Sequence, residues 1–370
     1  MLATAPSPVT PGSNALLEQP DQLNALAAWL HSRDLLPHGS SLRSLRMAGG
    51  QSNPSWQLQA PDRAWVLRAK PAPAAQLLPS AHAIEREFRI LQALQGTPVP
   101  VPRVLAMCED ESVIGVSFYL MEFVNGRVFS DPSLPALPVT ERRAYYEAAA
   151  RVLSALHRVD WRSLGLQDFG RQEGYYSRLI RRWSKQYRAT CTDPVPAMEW
   201  LMHWLPDHIP PGADDSADTC ITHGDYRMEN LMFHPERPEV VAVLDWELAT
   251  LGHPMGDLAY NALAWHMPAG LLRGLADLNL VALGLPSEKN YLAAYAHFSR
   301  QSLSELANDW PFYLAFNLFR LSAILQGIGH RASAGRAANA TAEQIAAFAP
   351  SVAAWGMAIA QGRQPNFYSQ

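Results

Sequence analysis

Between Cys220 and Asp257 the chain sets side chains that could do chemistry between apolar flanks. His223, Asp225, Arg227, Glu229 and Asn230 fall within His-Gly-Asp-Tyr-Arg-Met-Glu-Asn, and the apolar run Val240 to Leu244 then delivers Asp245. Asp and Asn offer hard oxygens of the kind Mg²⁺ takes. A carboxylate beside such an ion but not bound to it can accept the proton of a hydroxyl. These are the parts that phosphoryl transfer from ATP needs, so the stretch reads as the metal and base centre of a phosphotransferase. One at a time, the same residue types are ordinary caps of turns and helices. Their grouping is what points to chemistry.

The elements that must position this stretch fall into two parts. Residues 1–20, rich in Pro, Ser and Gly, read as a flexible tail. Residues 21–122 read as a small β-rich lobe. It has a covering helix at Gln22 to Leu30 and strands at Leu42 to Met47, Ser55 to Gln59, Ala64 to Ala69, Val101 to Met107 and Val116 to Met121. A helix over Ala81 to Leu94 is predicted from Ile84, Phe88, Leu91 and Leu94, and is stopped by Gly96 and Pro98. Residues 123–138 form a hinge and linker, and 139–370 a larger, mainly helical lobe that holds the catalytic and metal-binding loops. Helices are expected there over Glu141 to Arg158, Glu173 to Arg188, Ala197 to Leu205, Met255 to His266, Glu288 to Leu303, Trp310 to Ile328 and Thr341 to Ala360. The class is α+β.

The loop His223 to Asn230 resembles the catalytic loop of the aminoglycoside phosphotransferase and choline kinase families and, more distantly, that of protein kinases. Leu244-Asp-Trp-Glu resembles their metal-binding segment. The resemblance implies a two-lobed protein-kinase-like fold that uses ATP and Mg²⁺. It implies Asp225 as base, Asn230 and Asp245 as Mg²⁺ ligands, and His223 as a loop brace. Arg227 takes the place of a lysine that contacts the transferred phosphate, or is an exposed loop cation. Gly49, Gly50, Ser52 and Asn53 resemble the nucleotide-positioning loop, and the strand ending in Trp65-Val-Leu-Arg-Ala-Lys should supply a cation for the ATP phosphates. Arg68 is assigned to that role. Lys70 shares its face by period 2 and is its rival. In the next helix Glu87 is assigned as the partner of Arg68, and Glu85 as a partner of Arg89 four residues on. Tyr119 to Val124 resembles the hinge that meets adenine, with Glu122 and Val124 contributing backbone. Asp257 is expected to brace the loop or cap a helix.

Gly49 to Pro54, Pro79 to Ala83, Trp183 to Tyr187 and Asp245 to Pro254 are similar to a narrower branch, related to the kinase-like domain fused to some acyl-CoA dehydrogenases. That branch implies a functional link to such a dehydrogenase and a small-molecule hydroxyl acceptor such as a hydroxy-acid or hydroxyacyl-CoA. Arg178, Arg181, Arg182 and Lys185 share one helix face, which suits an anionic acceptor and suits a polycationic aminoglycoside poorly; a solvated surface is the plainer reading. Arg182, Trp246, Glu247 and His266 are candidates to contact the acceptor. A true aminoglycoside phosphotransferase and a nucleotide-binding module without catalysis are the alternatives.

The totals exclude several classes. The chain has 370 residues, 48% hydrophobic and 17% charged, with a net charge of −4. Nothing in that balance draws it to nucleic acid or an anionic membrane. Three scattered cysteines argue against a disulfide framework. The first residues lack the basic start and apolar run of a secretory signal, and Trp310 to Ile328 is interrupted by Asn317, Arg320 and Gln326, so it reads as a core helix. A cytoplasmic protein is expected.

Overall fold

The structure, a computed structural model, describes residues 16–17, 19–47, 53–71, 84–191, 193–270, 272–333 and 341–363. The chain divides into two compact units. The first comprises Met1–Gln95, Val101–Asn125 and Asp245–Glu247, and the second comprises Gly96–Pro100, Gly126–Leu244 and Leu248–Gln370.

In the first unit β1 (Arg43–Arg46), β2 (Ser55–Gln59), β3 (Ala64–Ala69), β4 (Val104–Cys108) and β5 (Phe118–Glu122) form an antiparallel sheet in the order β1-β2-β3-β5-β4. The Pro61-Asp62 turn sets the hairpin register, with Leu58 opposite Trp65. Side chains alternate across the sheet. One face, with Trp65, Leu67, Phe118 and Leu120, forms a core with α1 (Pro20–His31), whose Leu26, Trp29 and Leu30 are buried at helical spacing. Burying each of these large side chains contributes about 1.5–3 kcal/mol. Trp29 meets the Phe118 ring edge-on at 4.9 Å. The other face, with Arg68 and Tyr119, carries α2 (Ile84–Leu94), where Phe88 packs on Tyr119 at 5.9 Å. The period-2 argument that put Arg68 on one face thus puts it under α2.

The second unit is mainly helical. β6 (Arg127–Val128), β8 (Leu231–Phe233) and β9 (Val240–Val243) form one small sheet, and β7 (Cys220–Thr222) pairs with β10 (Thr250–Gly252). Helices α3 (Arg142–His157), α4 (Tyr175–Thr190), α5 (Pro196–Asp207), α6 (Pro254–Ala262) and α7 (Glu288–Ser299) precede α8 (Leu303–Ala307) and the long α9 (Trp310–Ser333). By length and composition α9 is apolar enough to cross a membrane, yet 72% of its apolar window is buried within the protein. It packs against α4, α5, α6 and α11 (Ala349–Ala360).

One expected helix ends early and another is broken in two. Arg300 takes φ +62 and ends α7, and Ser302 and Glu305 form a capping box that starts α8. The box is legible as Ser-Leu-Ser-Glu, a start signal at the end of the helix expected to run on to Leu303. Thr341 to Ala360 divides into α10 (Ala342–Ala346) and α11, because Pro350 lacks an N–H and is accommodated in a first helical turn.

Candidate active site

The second unit builds the loop. β7 leads into His223, and the chain reverses at Gly224, whose φ is +83. A Cβ there would lie 2.7 Å from the Leu248 carbonyl oxygen, so glycine is required on both counts. His223 is fully buried. The Asp225 amide donates to His223 Nδ1 at 3.2 Å, so Nε2 carries the proton, and it donates to the Leu244 carbonyl at 2.8 Å. A neutral ring with both nitrogens engaged braces the loop.

Asp257, from the first turn of α6, holds the other side. Its Oδ2 accepts from the His223 amide at 2.6 Å and its Oδ1 from the Gly224 amide at 2.8 Å. Burial raises its pKa, but the bonds from His157 and from the His223 backbone outweigh burial and hold the carboxyl below its ordinary value. Asn261 Nδ2 donates to the Tyr226 carbonyl at 3.1 Å. Arg320, from α9, donates through Nη2 to the Gly224 carbonyl at 2.5 Å, and its guanidinium lies 4.7 Å from the Tyr260 ring centroid. Asp257 is thus the brace its sequence context suggests. Asn261 and Arg320 are further braces that no sequence motif singles out. The available signal for Arg320 is a cation inside an apolar helix, which must find a partner if it is buried.

This scaffold presents Asp225 and Asn230. Asn230 Nδ2 donates both to the Asp225 carbonyl at 2.8 Å and to its Oδ2 at 2.9 Å. Two acceptors on one side fix which end of the carboxamide is nitrogen and leave its oxygen, a hard donor suited to Mg²⁺, on the other. Arg227 Nε lies 3.3 Å from Asp225 Oδ2, and the same guanidinium pairs with Glu229, which Arg273 also engages. Tyr260 shares the surroundings of Asp225: burial and the nearby carboxylate push its phenol up to about 12.

The first unit holds Arg68 and Asp245. Arg68 is buried on β3. Its Nε donates to Glu87 Oε2 at 2.9 Å and its Nη2 to Asp245 Oδ1 at 2.8 Å, with Glu247 Oε2 at 3.9 Å. The pairing of Arg68 with Glu87 is therefore made. Burial disfavours the charge on Arg68, but Glu87 and Asp245 more than offset it and hold the proton firmly. Burial pushes the Glu87 carboxyl up, opposed by Arg68. Lys70 pairs with Glu85 instead, a contact that helix spacing does not indicate. Asp245 adopts φ +66, a left-handed conformation that costs most residues energy and that Asp tolerates.

Gly49, Gly50 and Ser52 lie outside the described residues. Asn53 is buried, with its Nδ2 3.5 Å from Glu87 Oε2. The Glu122 amide donates to the Arg103 carbonyl at 2.9 Å and its side chain faces Arg103, while Val124 follows the end of β5 half-buried. Of the acceptor candidates, Trp246 is only 2% exposed, so its side chain is core and not a pocket wall. Glu247 belongs to the Arg68 cluster. His266 is engaged with Glu288 at 2.7 Å, and Glu288 also accepts from Trp310 Nε1 at 2.9 Å. Arg182 is exposed, 5.5 Å from the Trp183 ring. Among the described residues, no group of three or more His, Cys, Asp or Glu could hold a metal by itself. Asn230 in the second unit and Asp245 in the first each carry a hard oxygen of the kind Mg²⁺ takes.

Comparison with known proteins points to the same chemistry. Residues 45–306 match the family described as "Phosphotransferase enzyme family". The chain is 47% identical over 322 residues to acyl-CoA dehydrogenase family member 10 of Mus musculus, a match that covers 86% of this chain and 29% of that protein. It thus spans less than a third of that relative's length. A solved Ralstonia eutropha protein, provisionally named an aminoglycoside phosphotransferase, is 46% identical with a TM-score of 0.81, covering 92% of this chain and 98% of that one. A thermostable mutant of the aminoglycoside phosphotransferase APH(4)-Ia, solved with AMP-PNP and hygromycin B, shares the fold at 15% identity with a TM-score of 0.57, covering 91% and 99%.

Proposed function

This chain belongs to the phosphotransferase enzyme family, and on that premise we propose that it moves the γ-phosphate of ATP to a hydroxyl of a small molecule. The observation that carries the reading is the pair Asp225 and Asn230. The carboxamide nitrogen orients the carboxylate, and His223, Asp257 and Arg320 hold the backbone beneath them. Asp225 orients the acceptor hydroxyl and takes its proton as the oxygen attacks phosphorus. Asn230 and Asp245 would each offer an oxygen to Mg²⁺, which when bound would offset charge on the phosphate oxygens. Arg68 fixes the Asp245 carboxylate and adds positive charge for the nucleotide. Arg227 reaches the transferred phosphate through a charge-assisted fork. Positioning and charge balance are the main contributions a protein makes to this reaction.

For the acceptor we favour a hydroxy-acid or its acyl-CoA ester. Support comes from the similarity to a protein named as an acyl-CoA dehydrogenase family member and from Arg182 and Lys185 on α4. A screen coupling ADP release to hydroxy-acids, hydroxyacyl-CoAs, sugars and aminoglycosides tests the reading. Turnover with an anionic hydroxy compound is expected. Protection by ATP against thermal unfolding, with no product from any acceptor, would favour a non-catalytic nucleotide-binding module. Turnover with aminoglycosides alone would overturn the acceptor class.

A further inference from the structure

The second unit has a hollow of about 790 Å³ at the start of α4, widely open to solvent, with Arg171, Arg178 and Arg181 in its wall. Two acids share the wall. Asp214 already caps α4: its carboxylate accepts from the Tyr176 amide at 2.6 Å, from the Ser177 amide at 3.2 Å and from the Ser177 hydroxyl. Glu173 is exposed along the same wall. Among the described residues none of the three arginines forms an ion pair with a carboxylate. Instead Arg178 Nη2 donates to the Arg171 carbonyl at 3.0 Å and Arg181 Nε to the Ser177 carbonyl at 3.3 Å, which fixes both guanidiniums beside the cavity. Burial, and then the neighbouring Arg171, push the pKa of Arg178 down, opposed by the Asp214 carboxylate. Arg182 and Lys185 continue the positive charge along the same helix.

We propose that this cavity is an oligophosphate-binding site, separate from the nucleotide site, in which Arg171, Arg178 and Arg181 fork onto the oxygens of a pyrophosphate-like anion. Planar guanidiniums match phosphate geometry and bind it more strongly than neutral donors do.

The test is calorimetric titration of the full chain with pyrophosphate in the presence of saturating AMP-PNP, for the unmodified protein and for Arg171→Gln, Arg178→Gln and Arg181→Gln. Arg171 and Arg181 are exposed, so their variants test the site even if Arg178→Gln fails to fold. Binding is expected in the unmodified protein, with each variant about tenfold or more weaker, a change of about 1.4 kcal/mol. Thermal midpoints and AMP-PNP affinity of the two exposed variants should be retained. Pyrophosphate binding that vanishes when AMP-PNP is present, that is equal in the variants, or that is absent altogether would overturn the proposal.

Discussion

Arg68 Nη2 donates to Asp245 Oδ1 at 2.8 Å, so the cation assigned to the nucleotide phosphates and the carboxylate assigned to the metal are bonded to each other. The same guanidinium holds Glu87 through Nε. Asp245 therefore has one oxygen engaged by Arg68. A positive φ at Asp245 is tolerable because the arginine fixes where its side chain must go.

Removing one member of this buried cluster should cost more than removing two. Arg68→Met leaves Glu87 buried without its counter-charge, and a loss of about 3–5 kcal/mol is expected. The double variant Arg68→Met with Glu87→Leu should recover a substantial part of that loss. Denaturant unfolding of both measures it, and a double variant as unstable as the sum of the singles would contradict the coupling.

Asp225→Asn keeps the shape of the side chain and removes its ability to take a proton. ATP turnover should fall by about 100-fold or more while AMP-PNP still binds. Steady-state kinetics and a binding titration on the same preparation separate the two effects. Full turnover would end the assignment of Asp225 as base.

Gly224→Ala places a methyl group against the Leu248 carbonyl at a positive φ. A stability loss of about 1–3 kcal/mol is expected from the backbone alone, with the loop displaced and turnover reduced. An alanine variant with unchanged thermal midpoint and kinetics would show that the turn relaxes freely.

His253 caps α6 through its ring nitrogen, which accepts from the Met255 amide at 3.4 Å. Burial, aided by His157, lowers its pKa from 6.5 to about 4. Above pH 6.5 the ring is neutral in the folded and unfolded chain, so it contributes no pH dependence. As pH falls from 6.5 towards 4 the unfolded chain takes up the proton first, and stability declines by up to about 3 kcal/mol. His253→Asn keeps a cap acceptor and does not titrate. Its midpoint should fall less steeply across that window, and parallel curves would refute the assignment.

Local and periodic features are legible in the amino-acid sequence. Alternation in Trp65 to Ala69 identifies the face of Arg68, and the loop spells its own reactive residues. Contacts made at long range are not legible. Lys70 arrives from the end of β3 to meet Glu85, a contact that no local spacing announces. Trp246 has a polar tip and sits next to Asp245 in sequence, which makes it look like a pocket wall, but its position after β9 turns it into the core. Arg320 lies 96 residues from Gly224, and no local pattern links them. Only the packing of α9 does.

The supports of the loop arrive late in the chain. Asp257, Asn261 and Arg320 follow their backbone partners by 34, 35 and 96 positions. During synthesis the ribosome therefore releases every reactive side chain of the loop before it releases the residues that hold them in place. Contacts of such separation close slowly. A nascent chain that has extended through residue 260 carries the whole chemical vocabulary of the site, and Asp257 with it, while Asn261 and Arg320 are still to come.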